Sequence, residues 1–185
     1  MLWKNRLQLC TEDAIYSDGD KYVPALSAVT YLRSFLPSAA SVLVLGTGMG
    51  SMVQILRARG LQPQFTLVEY DRVILDTAMQ MLGTDRIDPI CADAQVFMQN
   101  NRQKFDFIFV DVFSGRQVPA FVTSLPFLRQ CADALSSGGH IALNYIINDE
   151  EAWPGVINNF SRVFPSHHTV AISINRILFN KTAGI

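Results

Sequence analysis

Charge is scarce in this sequence, and neither sign dominates. Only 17% of the 185 residues are charged, with fifteen basic against sixteen acidic side chains and a net charge of −1. No basic block occurs anywhere, which argues against a nucleic-acid partner held by simple electrostatics. No apolar run approaches the ~20 residues that cross a bilayer, and Met1 to Arg6 carries no secretory leader pattern. A cytoplasmic protein with no membrane partner is therefore expected. Cysteine is equally sparse. Cys10, Cys91 and Cys131 are odd in number, far apart and set among apolar neighbours, so they read as reduced core thiols rather than a disulfide framework or a zinc site. Internal repeats and linker-like tracts are also missing. What remains is 49% hydrophobic, enough for the packed core of a single domain.

The hydrophobic pattern then sets the class. From Ser41 onward, short apolar runs alternate with longer stretches of helical period, which is how a parallel sheet with crossover helices is written. Strands are expected at Val42–Leu45, Phe65–Val68, Ile87–Cys91, Phe105–Val110 and Ile141–Tyr145. Between them the spacing predicts a helix through Met52, Val53 and Leu56 up to Gly60. A second carries Ile74, Leu75, Ala78 and Leu82, capped by Asp71 and closed by Gly83. Further helices fall at Ala94–Asn100, at Leu125–Leu135 with Gly138-Gly139 as its stop, and at about Glu150–Val163. The end differs in kind, because Thr169–Ile174 and Ile177–Phe179 form two β-rich runs about a turn at Asn175-Arg176. Upstream, Val23–Leu36 reads as one helix with Pro24 in its first turn. The chain thus divides into residues 1–40, an extension with a leading helix, and a nucleotide-binding unit over 41–185.

The chemistry centres on Val42-Leu43-Val44-Leu45-Gly46-Thr47-Gly48-Met49-Gly50. A strand ends, glycines turn the chain sharply, and a helix begins. Glycine serves such a turn because it reaches backbone angles closed to other residues and lets a ligand approach the main chain. A dinucleotide fingerprint would place its third glycine at Ser51. Glycines at 46, 48 and 50 make GxGxG instead, the pattern of adenosylmethionine-type sites. Glu69 ends the second strand, where a carboxylate can accept from both ribose hydroxyls, although it could also simply flank the helix start beside Asp71. Asp93 follows the third strand and could accept an adenine amino group, cap a helix, or do both. Tyr70 and Ala94 could flank the adenine ring. Asp111 closes the fourth strand at the sheet edge, as a proton acceptor or as a solvated strand-end acid. His167 and His168 read as surface residues, and Trp153 as core. Tyr16-Ser17-Asp18-Gly19-Asp20 is either a surface turn or a lid.

Together these segments resemble the spermidine synthases and their relatives, which share the Rossmann-like class I methyltransferase fold. The likeness runs through Leu67 to Asp71, Asp93-Ala94, Phe105 to Asp111 and Leu125 to Leu128 to Asn144, and includes Val44 two residues before the first glycine. It implies an α/β fold with a seven-stranded, mostly parallel sheet and a C-terminal antiparallel hairpin. It implies a cofactor, S-adenosylmethionine or its decarboxylated form, on Gly46, Thr47, Gly48, Gly50, Glu69, Tyr70, Asp93 and Ala94, with Asp111 as catalytic base. It implies a small-molecule acceptor, no metal, and a homodimer as the oligomer that such proteins often form. The departures bear on the reaction. Met49 stands where aminopropyltransferases carry an acid for the cofactor's amine, Ser114 where a second acid grips the diamine, and Tyr22 is followed by Val23 and Pro24 rather than polar partners. The usual N-terminal β-domain is shortened. Methyl transfer to a small acceptor is the reading that follows; aminopropyl transfer to putrescine, as in polyamine biosynthesis, and a non-catalytic nucleotide-binding module are the alternatives.

Overall fold

The computed structural model describes residues 18–180 in full, and upstream only the backbone of Leu2–Trp3, Arg6–Leu7, Leu9–Cys10 and Ile15–Ser17. Those four short strands pair as two antiparallel ribbons, first with second and third with fourth. Cys10 and Tyr16-Ser17 have side chains outside the described residues.

Seven strands form the central sheet: β1 (Ser41–Leu45), β2 (Gln64–Glu69), β3 (Ile87–Cys91), β4 (Phe105–Val110), β5 (Leu135–Ile146), β6 (His167–Ile172) and β7 (Asn175–Asn180). Their spatial order is β6-β7-β5-β4-β1-β2-β3. The pairs from β3 to β5 are parallel, and β7 enters antiparallel between β5 and β6. This is the seven-stranded, mostly parallel sheet with an antiparallel end that the pattern predicts.

Alternation along each strand divides the core into two layers. Val42, Val44, Phe65, Leu67, Phe107 and Phe109 are buried on one face with the helices α1 (Val23–Tyr31) and α2 (Ser51–Ala58). Leu43, Leu45, Val68, Ile108, Val110 and Leu143 are buried on the other, with α4 (Ala94–Asn100), α5 (Leu125–Ala134) and α6 (Trp153–Val163). Helix α3 (Arg72–Leu82) contributes Ala78 and Leu82 to the first layer. Its cap is as expected: Asp71 accepts from the amides of Val73 and Ile74. Among the described residues no helix is long and apolar enough to cross a membrane.

Several boundaries differ from the expectation, each for a local reason. The leading helix stops at Tyr31, and Leu36–Ser38 forms a separate 3₁₀ turn. Pro37 lacks the N–H needed to prolong a helix but fits the first turn of a new one. Helix α6 starts at Trp153 rather than Glu150, with Pro154 in its first turn. The terminal hairpin turns at Ser173-Ile174, where Ser173 takes φ +52°, while Asn175 and Arg176 pair with Ile172 and Ala171. Gly138-Gly139 stops no helix. Helix α5 has ended at Ala134, and the two glycines lie inside β5, where its register with β4 shifts. A Cβ at Gly139 would sit 3.0–3.1 Å from the carbonyl oxygens of Ser136, Asp106 and Phe105, so the bulge closes too tightly for a side chain there. Cys131 is a buried thiol as predicted, but Cys91 is exposed at the end of β3. His168 is exposed and stacks on Tyr31, whereas His167 is half-buried with its ring edge-on to Phe160. Trp153 is only half-buried, packed beside Tyr145.

Candidate active site

Strand order reverses about β1, whose neighbours β2 and β4 lead away in opposite directions, and open α/β sheets bind ligands at such a switch point. Leu45 is in register with both Val68 and Val110. The next residue on each strand is therefore Gly46, Glu69 and Asp111, three functional candidates at one level of the sheet edge. Backbone bonds lock that level: Gly46 N–H donates to the Val68 carbonyl at 2.9 Å, and Asp111 N–H to the Leu45 carbonyl at 2.8 Å.

The glycines of the turn have separable reasons. Gly46, Gly48 and Gly50 all take positive φ, +81°, +51° and +78°. A Cβ on Gly46 would lie 2.2 Å from the Asp111 carbonyl oxygen, so this glycine lets β1 and β4 meet at their ends. A Cβ on Gly50 would lie 2.4 Å from the Leu82 side chain. Gly50 thus allows the close packing of α3, and it does not line the cleft. Thr47 is also buried away from it, its hydroxyl donating to the Val68 carbonyl at 3.3 Å. Both were expected among the cofactor residues; in the structure both shape the glycine turn and neither lines the cavity.

A cavity of about 300 Å³ opens over this edge. Its walls include Gly46, Gly48, Glu69, Tyr70, Asp93, Ala94 and Asp111, so seven of the nine expected site residues converge there. Glu69 bridges the turn, accepting from Gly48 N–H at 3.0 Å and Asp71 N–H at 3.2 Å. It does flank the α3 start, and it faces the cavity as well. Asp93 caps α4 through one oxygen, which accepts from Gln95 and Val96 at 2.8 and 3.1 Å. Capping and ligand contact can coexist on a carboxylate, which has two oxygens. Tyr70 is 78% exposed on the rim, and Ile74 and Ala92 supply apolar wall. Among the described residues that line it no cation occurs, and its polar side chains are the carboxylates of Glu69, Asp93 and Asp111 and the hydroxyls of Tyr70 and Ser114. Carboxylates accept hydrogen bonds, which suits the donating hydroxyls and amino group of an adenosine beside a positive centre. Among the described residues no cluster of potential metal ligands occurs.

Asp111 is buried, with 8% exposure. Two side chains donate to the same oxygen, Oδ1: Asn144 Nδ2 at 2.8 Å and Tyr22 Oη at 3.3 Å. Burial pushes its carboxyl up to about 7, the two hydrogen bonds oppose that rise, and the Glu69 charge adds to it. The Tyr22 hydroxyl is driven well above its ordinary value by burial and by Asp111, so it stays protonated as a donor. With both donors on Oδ1, Oδ2 is the oxygen free to take a proton from a bound molecule. Asn144 itself has a buried Oδ1 without a hydrogen-bond partner.

Tyr22 and Asn144 escaped the site reading of the sequence. Asn144 left a trace, as the one polar residue in the apolar run Ile141–Tyr145, and it lies beside Asp111 because Leu143 is in register with Val110. Tyr22 entered only through the resemblance, as the tyrosine ahead of the first strand, and its partner lies 89 residues away. Of the positions read as departures, Met49 is buried at 4% exposure and lies outside the cavity lining, while Ser114 is exposed on the cavity wall and paired by backbone to Gln117. Asp18 and Lys21, from the upstream turn, line a neighbouring cavity instead.

The spermine/spermidine synthase domain matches residues 27–182, nearly the whole described chain. The chain belongs to that family. Among curated relatives, it is 29% identical over 147 residues to a polyamine aminopropyltransferase of Vibrio vulnificus, covering 75% of this chain and 48% of the relative. It is 31% identical over 114 residues to an N-terminal histidine N-methyltransferase of Emericella nidulans, covering 58% and 20%. The chain thus spans about half or less of the length of these relatives. Among solved structures, human methyltransferase-like protein 13 in complex with SAH superposes with a TM-score of 0.72 at 25% identity, covering 88% of this chain and 80% of that one. The family therefore contains both aminopropyl and methyl transferases, on the class I methyltransferase fold.

Proposed function

We propose that this chain is a transferase that binds S-adenosylmethionine and methylates an amine nitrogen. Glu69 would hold the ribose hydroxyls and Asp93 the adenine amino group, with Gly46 and Gly48 allowing close approach. The bound cofactor supplies an electrophilic carbon on a positively charged sulfur. Asp111 then takes the amine's proton on Oδ2, while Tyr22 and Asn144 fix Oδ1. A carboxyl poised near 7 suits that task, since general bases work best close to ambient pH.

The observation that carries this reading is the convergence of Glu69, Asp93 and a buried, neutral-range Asp111 in one cavity. We read methyl rather than aminopropyl transfer from Met49, which stands where the aminopropyltransferases that this chain resembles carry an acid and is buried outside the cavity lining. The relatives' names, an aminopropyltransferase and an N-methyltransferase, share nitrogen as the acceptor atom. Calorimetry tests the cofactor half directly. S-adenosylhomocysteine should bind, and Glu69→Gln should weaken it by roughly 1.5–3 kcal/mol through loss of charge-assisted bonds. Unchanged affinity in that variant would remove Glu69 from the site. S-adenosylmethionine should bind more tightly than its decarboxylated form; the reverse order would favour aminopropyl transfer.

A further inference from the structure

Asp111 is a buried carboxyl with no cation beside it. The side chains that reach it are neutral donors, Tyr22 from the N-cap of α1 and Asn144 from β5, and both bond to Oδ1. From the end of β2 it faces a second carboxylate, Glu69, whose charge raises its proton affinity. Asp93, at the start of α4, adds a third to the same cavity. The turn after β1 brings only Gly46 and Gly48 to the lining, and the loop after β4 brings Phe113 and Ser114. Among the described residues that line the cavity none is basic. A buried charge in such surroundings is costly unless an opposite charge joins it. The protein does not supply that opposite charge, so a ligand must.

We infer that Asp111 responds to the charge of the cofactor: it keeps its proton in the empty cavity or beside a neutral thioether, and gives it up when a sulfonium is bound. The base is thus armed by the molecule on which it acts. As the C–N bond to a neutral amine forms and the C–S bond breaks, with its electron pair left on sulfur, Asp111 takes the amine's proton on Oδ2. Carboxylate and sulfonium lose their charges together, so no unpaired ion is left in the buried site. Selection between fresh and spent cofactor follows. An ionised Asp111 attracts the sulfonium and not the thioether of S-adenosylhomocysteine, whereas a protonated Asp111 hardly separates them. This rests on the proposal that Asp111 is the base, and it adds how that base is switched on and how spent cofactor is released.

The test reads binding and needs no turnover. S-adenosylmethionine and S-adenosylhomocysteine are titrated calorimetrically into the full chain and into Asp111→Asn, at about pH 5.5 and about pH 8. Between those values the native preference for S-adenosylmethionine should grow at least about fivefold more than that of the variant. Titration of Glu69, Asp93 and the ligands' own groups is common to both proteins and cancels in that comparison. A second measurement uses the native chain alone, at pH 7 in two buffers of different ionisation heat. S-adenosylmethionine should release roughly 0.3–0.5 of a proton more than S-adenosylhomocysteine on binding. Equal growth in native chain and variant overturns the inference, as does equal proton release by the two ligands, and either result leaves the cofactor site standing. Failure of S-adenosylhomocysteine to bind the native chain removes the proposed function and this inference together.

Discussion

Asp111 shows how a single residue is tuned by what packs around it. A free aspartate would be ionised at neutral pH, but burial raises this one to about 7. Between the unfolded value near 3.9 and the folded value, the native state holds a proton that the unfolded chain has released, so stability falls as pH rises through that window. Asp111→Asn does not titrate, and its amide can donate to the orphaned Asn144 oxygen. The variant should therefore be more stable than the native chain at about pH 8, by roughly 2 kcal/mol, with the gap closing towards pH 4. Thermal melts across pH check the sign. A variant that is less stable at pH 8 than at pH 5, relative to the native chain, would show that Asp111 is not held neutral by burial. Its turnover should drop by about 10²–10⁴ if the carboxylate is the base. Tyr22→Phe deletes a hydrogen bond that lowers the Asp111 carboxyl, so the acid limb of the rate profile should move to higher pH. A limb that stays in place would leave Tyr22 a packing residue.

At the scale of elements, the strands are tied at both ends, by different means. The ligand end is closed by backbone bonds between Gly46, Val68, Leu45 and Asp111. The opposite end is tied by Asp106, whose Oδ2 accepts from the Ala40 and Ser41 amides at 2.8 and 3.0 Å while Oδ1 accepts from Ser136 Oγ at 2.5 Å. One carboxylate thus joins the entrances of β1, β4 and β5. Burial alone would raise its carboxyl, but the bonds from Ser136, Ala40 and Ser41 outweigh burial and lower it. A lowered folded value means that this stabilisation is present above the ordinary aspartate range and disappears as pH falls below it. Asp106→Ala should cost about 2 kcal/mol at neutral pH, and the deficit should shrink in acid. Denaturant titrations at two pH values would measure it. A pH-independent deficit would assign the loss to packing rather than to the ion.

Across the whole molecule, the proposed reading separates the cofactor half of the family pattern from the acceptor half. Glu69, Asp93 and Asp111 keep their places on one sheet edge, while Met49 is buried in the core and Ser114 presents only a hydroxyl. Each lost carboxylate removes a charge-assisted contact to an ammonium, roughly 1.5–3 kcal/mol apiece. Asp20 cannot stand in, since it pairs with Lys21 and lies outside both cavity linings. Putrescine with decarboxylated S-adenosylmethionine should therefore yield little methylthioadenosine. Saturable production at micromolar substrate would restore aminopropyl transfer as the reaction.

Local rules carried much of this protein. Alternating apolar runs and helical spacing determined the strands, their burial on two faces and their alternation with helices, because hydrophobic period is set by backbone geometry alone. The strand-end placement of Gly46, Glu69, Asp93 and Asp111 followed from the same pattern. Where local signals failed, a neighbour distant in sequence had decided. Gly50 looked like a ligand-binding glycine, and Leu82 of α3 is the side chain that demands it. Gly138-Gly139 looked like a helix stop, and the carbonyls of Phe105 and Asp106 make it a bulge. Tyr22 was marked only by resemblance, and its hydrogen bond to Asp111 exists only when the start of α1 is docked over the ends of β4 and β5. The proton affinity of Asp111 belongs to the fold in the same way, because desolvation is a property of the surroundings and not of the side chain.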